Sequence, residues 1–192
     1  MLSYEESLKI LKETKALLEG HFILSSGLHS KQYIQCAKLL SQPKKAMKIC
    51  ESLSVKINEN FKNIDLILSP AIGGIVVGYE IGRQLSKQTI FAERKNGILS
   101  LRRGFIINKD TNVLIVEDVI TTGKSVLECK DIVMKHGAKL LGYACLIDRS
   151  NKECLIKDKI VSQIKFNIET FEESNLPEDL KLIAATKPGS RN

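Results

Sequence analysis

The sequence of 192 residues has no tryptophan, and aromatic residues make up only 5% of it. It also has no run of five or more lysine or arginine residues, although its formal net charge is +7. Nucleic-acid-binding domains usually combine a dense basic patch with stacking aromatic side chains. Neither is prominent here, but composition alone leaves both a nucleic acid and a small polyanionic substrate open.

The sequence also lacks the signals of export, membrane insertion, and disulfide or zinc chemistry. Its apolar runs, such as residues 113–116, are far shorter than the roughly 20 residues that cross a bilayer. The first residues lack the basic and apolar regions of a secretion signal. We therefore expect a cytoplasmic protein with no membrane partner. The five cysteines form no Cys-x-x-Cys pair and no cluster with zinc-binding spacing, so we expect reduced thiols in the core and no metal site.

Strand-like and helix-like segments alternate along the chain without a linker, a repeat or a low-complexity tract. This pattern predicts a single α/β domain over residues 1–192, with a central parallel sheet flanked by helices. We place its core at about 62–150 and a small cap in the segments at about 1–60 and 160–192. The predicted helices are 3–20, which opens with a capping box, 43–60, 73–86 and 123–136. The predicted strands are 22–24, 33–37, 64–69, 89–92, 105–107, 113–116 and 139–147.

The most informative segment is the loop at residues 117–125, Glu-Asp-Val-Ile-Thr-Thr-Gly-Lys-Ser, which follows an apolar strand. Ligands of open parallel sheets bind at the carboxyl ends of the strands, where this loop lies. Gly123 allows a tight turn that points several N–H groups at one anion, and the following helix start favours negative charge. Because Thr121, Thr122 and Ser125 add hydroxyl donors, we predict a phosphate-binding loop. It is not a nucleotide-binding P-loop, because Asp118 occupies the position of that motif's first glycine.

The adjacent carboxylates Glu117 and Asp118 need a separate explanation, because negative charge beside a bound phosphate is unfavourable. Neighbouring side chains on a strand diverge, so a pair that shares one proton is not expected. We predict instead that they accept hydrogen bonds from two sugar hydroxyls while the loop holds the 5′-phosphate of a ribose. The alternative is a pair of solvated charges that cap the following helix.

Residues 113–125 resemble the phosphoribosyl pyrophosphate (PRPP) motif of the type I phosphoribosyltransferases: an apolar strand, two acidic residues, two more residues and Thr-Thr-Gly. The resemblance implies that fold, and catalytic roles for Arg94, Lys95, Glu117 and Asp118. It implies a PRPP site formed by Ile72, Gly73, Arg94, Lys95, Glu117, Asp118, Val119, Ile120, Thr121, Thr122, Gly123, Lys124 and Ser125. Hypoxanthine enzymes of this superfamily carry aspartate at the position of Thr121, so the threonine speaks against that substrate.

Further segments are similar to the orotate phosphoribosyltransferases. They are residues 20–30, residues 92–105, Pro70-Ala71-Ile72-Gly73-Gly74, Ile147-Asp148-Arg149-Ser150 and Lys187-Pro188-Gly189-Ser190-Arg191. The resemblance implies a transferase of pyrimidine synthesis that makes orotidine 5′-monophosphate and pyrophosphate from orotate and PRPP. It also implies Mg²⁺ as cofactor, no nucleic acid partner, and a homodimer with shared active sites.

The residues themselves favour a base that carries a carboxylate. Arg149 follows the strand next to the phosphate-loop strand, and a guanidinium binds a carboxylate through two parallel hydrogen bonds. The predicted orotate-binding residues are Arg149, Thr121, Ser25, Ser26, Gly27 and Tyr33. Two alternatives remain: a surface salt bridge for Arg149 and an ordinary turn at residues 25–30.

The segment at residues 92–105 is strongly cationic. Its basic residues are Arg94, Lys95, Arg102 and Arg103. The family pattern implies a mobile loop that closes on pyrophosphate in the partner subunit's site, whereas the apolar residues at 98, 99 and 101 leave a fixed β-hairpin open. The sequence departs from better-known members at Ser25 and Ile72-Gly73, where those commonly carry lysine.

Two other functions stay open on this fold. One is a phosphoribosyltransferase for another base. The other is a nucleotide-sensing regulator of nucleic acid, which needs a basic face or an added DNA-binding segment. The sequence shows no helix-turn-helix pattern.

Overall fold

The structure is a computed structural model that describes residues 1–24, 26–152 and 154–188. Its helices are α1 (Tyr4–Glu13), α2 (Cys36–Leu40), α3 (Pro43–Asn60), α4 (Gly73–Leu85), α5 (Lys124–Lys135) and α6 (Glu178–Lys181). Its strands are β1 (Leu17–Ile23), β2 (His29–Ile34), β3 (Leu66–Pro70), β4 (Gln88–Lys95), β5 (Ile98–Leu101), β6 (Asn112–Ile120), β7 (Lys139–Asp148) and β8 (Ile160–Lys165). In the part of the chain described, no helix is long and apolar enough to cross a membrane.

The main sheet has six strands in the order β5-β4-β3-β6-β7-β8. Every neighbouring pair is parallel except β4 and β5, which form an antiparallel hairpin at one edge. The predicted α/β fold with a central parallel sheet flanked by helices is therefore confirmed. Because parallel strands share one direction, the ends of β3, β4, β6 and β7 meet at one edge of the sheet.

The central strands are apolar throughout because helices cover both faces of the sheet. Alternate side chains of a strand point to opposite faces. Ile67 and Leu114 accordingly join the core that includes residues of α3 and α4, and Leu68 and Ile115 join the core that includes residues of α5. Burying one such side chain contributes roughly 1.5–3 kcal/mol. The two cores hold the strand ends in place.

The first helix confirms the capping box but ends earlier than predicted. The Glu6 N–H donates to Ser3 Oγ at 3.1 Å, and the Ser3 N–H donates to Glu6 Oε2 at 2.7 Å. The predicted end at Gly20 is wrong, because Lys15 turns the chain with a φ of 55° and β1 begins at Leu17. The predicted helix from Pro43 to Asn60 is confirmed.

The predicted strand at 105–107 is wrong. The strand that pairs with β4 at this edge of the sheet is β5 instead. Lys95 pairs with Ile98 across a two-residue turn in which Asn96 and Gly97 have φ values of 52° and 83°. Asn-Gly is the preferred sequence for such a turn, since both residues tolerate positive φ. Of the two possibilities for this segment, the structure has the β-hairpin.

Two elements within the segments predicted to form the cap belong to the main layer of the fold. β8 pairs with β7 at the edge of the main sheet, although the sequence assigned residues from 160 onward to the cap. α3, in the segment 1–60, also packs on this layer. β1 and β2 form the separate small sheet, and the chain after β8 joins it through isolated bridges to Phe171 and Thr186.

Candidate active site

A cavity of about 620 Å³ opens where the strands of the main sheet end. It is lined by Tyr33, Arg94, Glu117, Val119, Ile120, Thr121, Thr122, Gly123, Lys124, Ser125, Val126, Lys187 and Pro188. The structure thus brings most of the predicted PRPP residues and two predicted base-binding residues, Tyr33 and Thr121, to one cavity.

The loop at residues 121–125 has the geometry of an anion site. Gly123 has a φ of 82°, and a Cβ there would lie 2.6 Å from the Ile156 side chain. The Leu155 N–H donates to the Thr122 carbonyl at 3.0 Å, so the segment 154–156 fixes the loop from behind. In the described part of the chain, no backbone group accepts a hydrogen bond from the N–H groups of residues 121–125. These donors stand at the start of α5, where the helix dipole favours an anion.

The predicted sugar-binding carboxylates differ in their surroundings. Glu117 is only 9% exposed. Burial, followed by the negative charge of Asp118, raises the pKa of Glu117 well above its ordinary value. The Asp118 N–H donates to Glu117 Oε1 at 3.1 Å, and the Val119 N–H donates to Asp118 Oδ1 at 2.9 Å. Because the pKa of Glu117 is raised, a ligand that brings positive charge or hydroxyl donors would stabilise its carboxylate.

The turn after β3 lies against this acidic pair. A Cβ on Gly73 would lie 2.8 Å from both carboxylate oxygens of Asp118, and one on Gly74 would lie 3.0 Å from Glu117 Oε1. Glycine at both positions therefore gives the carboxylates their room. Ile72 is 84% exposed and follows a cis peptide bond with Ala71. The turn with the predicted residues Ile72 and Gly73 thus lies next to the acidic pair. Neither residue lines the cavity.

Arg149 begins the loop after β7, and its N–H donates to the Ile120 carbonyl at 2.8 Å. Its Nε is buried and has no hydrogen-bond partner among the described residues. Burial lowers the pKa of Arg149, while Tyr33 and Cys36 lie near enough to raise it electrostatically. Tyr33 lines the cavity and packs at 5.8 Å between ring centroids against Phe22. Arg149 does not itself line the cavity, but a half-buried guanidinium whose buried Nε lacks a partner suits an anionic ligand group.

The other predicted base-binding residues are not all brought to the cavity. Ser26 and Gly27 form a tight turn, in which the Gly27 N–H donates to the Leu24 carbonyl at 2.9 Å. Neither residue lines the cavity. Ser25 lies outside the described residues.

The arginines of the β4–β5 hairpin are paired with carboxylates of their own chain. Arg94 lines the cavity and donates to both oxygens of Glu128 on α5, at 2.9 and 3.0 Å. Arg103 donates to both oxygens of Glu93, at 2.8 Å each. The structure places Arg94 in the wall of its own chain's cavity, and the action of this segment in a partner's site stays a prediction. The pairing with Glu128 fixes the guanidinium beside α5.

Sequence reasoning missed the roles of Lys187 and Glu128. Lys187 lines the cavity although it lies more than 60 residues beyond the phosphate loop. The Lys-Pro-Gly-Ser-Arg segment was a signal of similarity, but no local pattern showed which part of the fold it contacts. Glu128 lies within an amphipathic helix, where a charged residue is usually only a solvated one.

Comparisons with known proteins agree with this geometry. The family model described as phosphoribosyl transferase domain matches residues 37–180. The orotate phosphoribosyltransferase of Chlorobium phaeobacteroides (strain BS1) is 46% identical over 183 residues, covering 95% of this chain and 94% of that protein. The crystal structure of orotate phosphoribosyltransferase from Aeropyrum pernix superposes with a TM-score of 0.72 at 25% identity, covering 82% of this chain and 92% of that chain.

The fold is shared with enzymes named for another base. Adenine phosphoribosyltransferase from Thermoanaerobacter pseudethanolicus superposes with a TM-score of 0.61 at 18% identity, covering 70% of this chain and 88% of that chain. The fold alone therefore does not select the base, and the distinction comes from the full-length sequence match. With that match and the family model, the chain belongs to the orotate phosphoribosyltransferase family of phosphoribosyl transferases.

Proposed function

We propose that the chain transfers ribose 5-phosphate from PRPP to orotate, as a step of pyrimidine synthesis. The bond from the anomeric carbon to a pyrophosphate oxygen breaks, and a bond from that carbon to a ring nitrogen of orotate forms. The products are orotidine 5′-monophosphate and pyrophosphate. The observation that carries the choice of base is the buried, unpartnered Nε of Arg149, in the loop after β7 and close to Tyr33, which lines the cavity.

The loop at residues 121–125 holds the 5′-phosphate in this proposal, with its free N–H groups and hydroxyls. Glu117 and Asp118 accept hydrogen bonds from the ribose hydroxyls and stabilise positive charge that develops at the anomeric carbon. Because the reaction needs little proton transfer, positioning and charge stabilisation supply most of the catalysis. The fixed backing of the loop by residues 154–156 suits that task.

The base lies between Tyr33 and Arg149. The guanidinium of Arg149 binds the carboxylate of orotate through charge-assisted hydrogen bonds, and the ring packs against Tyr33. Thr121 at the start of the loop and the turn with Ser25, Ser26 and Gly27 complete the predicted base contacts. The turn reaches the base only if it moves toward the cavity, since Ser26 and Gly27 do not line it.

The pyrophosphate lies between the turn at Ile72-Gly73 and the β4–β5 hairpin. Arg94 supplies positive charge from the wall of the cavity. Family members use Mg²⁺ with PRPP, and we propose the same cofactor here. The described residues contain no group of three or more His, Cys, Asp or Glu that could hold a metal. The pair Glu117 and Asp118 fits an ion that keeps waters and binds mainly through substrate oxygens, and such an ion neutralises the leaving group.

We further propose a cytoplasmic homodimer whose sites share residues, with Lys95 as the residue that acts in the partner. Successive side chains of a strand point to opposite sides. Since Arg94 lines the cavity of its own chain, Lys95 points away from that cavity, and it is exposed.

The dimer proposal is tested by mixing two impaired variants, Arg149→Ala and Lys95→Ala, and assaying them at an orotate concentration far below the raised KM of Arg149→Ala, where neither variant alone turns over appreciably. A mixed dimer then has one site with both lesions and one with neither. Random exchange makes about half of the dimers mixed, so activity should return to roughly a quarter of the unsubstituted level. No recovery, with subunit exchange demonstrated by mass spectrometry of the mixture, would place Lys95 in its own chain's site or outside catalysis.

The reaction itself is tested by following orotate absorbance in the presence of PRPP and Mg²⁺. A panel with uracil, adenine, guanine and hypoxanthine measures the base preference. We expect turnover of orotate and little of the bases that lack a carboxylate. Preference for a neutral base would overturn the assignment and favour a phosphoribosyltransferase of another specificity.

A further inference from the structure

The chain between residues 183 and 188 forms a strap along β1. The Ile23 N–H donates to the Thr186 carbonyl at 2.8 Å, and the Thr186 N–H donates to the His21 carbonyl at 2.9 Å. The hydroxyl of Thr186 donates to the same carbonyl at 3.2 Å. These contacts extend the small sheet by one bridge and fix the direction in which the chain leaves Thr186.

A pair of buried histidines holds the other end of the strap. His21 Nδ1 lies 2.8 Å from the Ile183 carbonyl, which only accepts, so this nitrogen donates. His21 Nε2 lies 2.6 Å from His29 Nδ1, and in a neutral pair His29 therefore donates. The backbone of His29 in turn exchanges hydrogen bonds with Phe171 at 2.8 and 2.9 Å. The strap is thus fixed at two points to the sheet that carries Tyr33.

The strap delivers a positive charge to the Tyr33 side of the cavity. Thr186 bridges to Phe22, whose ring packs against Tyr33, and the next residues, Lys187 and Pro188, line the cavity together with Tyr33. Within the described residues, no carboxylate forms a salt bridge with Lys187. Arg94, by contrast, is neutralised by Glu128. Lys187 therefore brings an uncompensated positive charge to the cavity wall.

We infer that Lys187 is a specificity-determining residue for the base, and that its ammonium group contacts the carboxylate or an exocyclic carbonyl oxygen of the anionic pyrimidine. The inference rests on the proposed function. Arg149 and Lys187 then approach the base from different elements, the former from the end of β7 and the latter from the strap. Together they favour an anionic base over a neutral one, because a neutral base leaves both charges without a partner.

The test compares a ligand that contains the base with one that lacks it. Orotidine 5′-monophosphate and ribose 5-phosphate share the sugar and the phosphate, so titration calorimetry with both isolates the contribution of the pyrimidine. Lys187→Met should weaken binding of the nucleotide by about fivefold, the order expected for an exposed charge pair, and leave ribose 5-phosphate unchanged. Lys187→Arg, which keeps the charge, should restore most of the loss.

The matched control is Lys181→Met. Lys181 lies on α6, shortly before the strap, and pairs with Glu178 at 2.7 Å, outside the cavity. It should leave the affinities for both ligands unchanged. Equal weakening of both ligands by Lys187→Met would assign Lys187 to the phosphate, and no weakening of either would remove it from the site. Either result overturns the inference. An unsubstituted chain that binds the nucleotide no more tightly than ribose 5-phosphate would instead count against the proposed function.

Discussion

Two arginines at the carboxyl ends of the sheet strands, Arg149 and Arg94, are held in opposite ways. Arg149 is half-buried, and its buried Nε has no partner among the described residues, whereas Arg94 is bound through two nitrogens to Glu128. A buried guanidinium without a carboxylate costs free energy of folding, and an exposed pair costs little. In the proposed assignment, Arg149 at the base end therefore lacks a counter-charge until a ligand supplies one, while Arg94 at the pyrophosphate end is positioned before the ligand arrives.

The substitution with the largest expected effect in this comparison is Arg149→Ala. Because the lost partner is the carboxylate of orotate, we expect the KM for orotate to rise by about tenfold or more, with a much smaller effect on the KM for PRPP. Steady-state kinetics with each substrate varied in turn measures both. Arg103→Ala is the control, since Arg103 pairs with Glu93 and does not line the cavity. An equal rise for both substrates would contradict the assignment of Arg149 to the base.

Glu117→Gln tests whether the acidic pair also lacks its counter-charge in the free protein. The pKa of Glu117 is raised in the folded chain, so above the unfolded value of 4.5 folding takes up a proton and the unfolding free energy falls as pH rises. Glutamine removes this dependence. The variant should therefore be more stable than the unsubstituted chain at neutral pH, by roughly 1–3 kcal/mol, and the difference should shrink toward pH 4.5.

Urea unfolding at several pH values measures the change in unfolding free energy caused by Glu117→Gln. The same variant should lose PRPP-dependent turnover, because an amide accepts fewer hydrogen bonds from the ribose. Asp118→Asn, at the neighbouring position, checks whether the turnover loss is shared by the pair. A Glu117→Gln variant that is less stable at neutral pH would show that the carboxylate is charged and compensated in the free protein.

The smallest expected effect concerns Glu128→Gln. Arg94 then keeps its charge but loses its two-point partner, and the KM for PRPP should rise by a few-fold at most, because exposed ion pairs contribute about 0.2–1 kcal/mol. Glu93→Gln is matched to it, since it releases Arg103 in the same way outside the cavity. PRPP kinetics at low and high salt compare the two. If Glu93→Gln raises the KM for PRPP more than Glu128→Gln does, the rigidity of the hairpin, rather than Arg94, affects PRPP binding.

The structure brings together more of the residues predicted for the phosphate loop than of those predicted for the base. The segment from Val113 to Ser125 combines a buried strand, a glycine turn and a helix start, and local rules determine all three. The proposed base end depends on the approach of distant segments, such as Tyr33 to the loop after β7, or Thr186, next to Lys187, to β1. Hydrophobic periodicity carries no information about such contacts, so Lys187 was not identified.

The errors in the fold have local causes. The sequence predicted helix up to Gly20, but Lys15 has a positive φ and turns the chain. No sequence pattern predicts this conformation at a lysine. The Asn96-Gly97 turn was a signal for the hairpin, yet the family pattern favoured a mobile loop. β8 was missed because it is a short strand at the edge of the sheet, and the predicted sheet ended at its partner, β7.

The strap also has a consequence for the order of folding and unfolding. His21 and Thr186 are 165 positions apart in sequence, so their contact closes one of the longest loops in the chain. Contacts of such separation form late during folding, and segments held by few contacts open first. Loss of the wall that carries Lys187 should therefore precede melting of the six-stranded sheet. Under mild heat or denaturant the catalyst should fail by local opening at the strap, while most of its secondary structure is still intact.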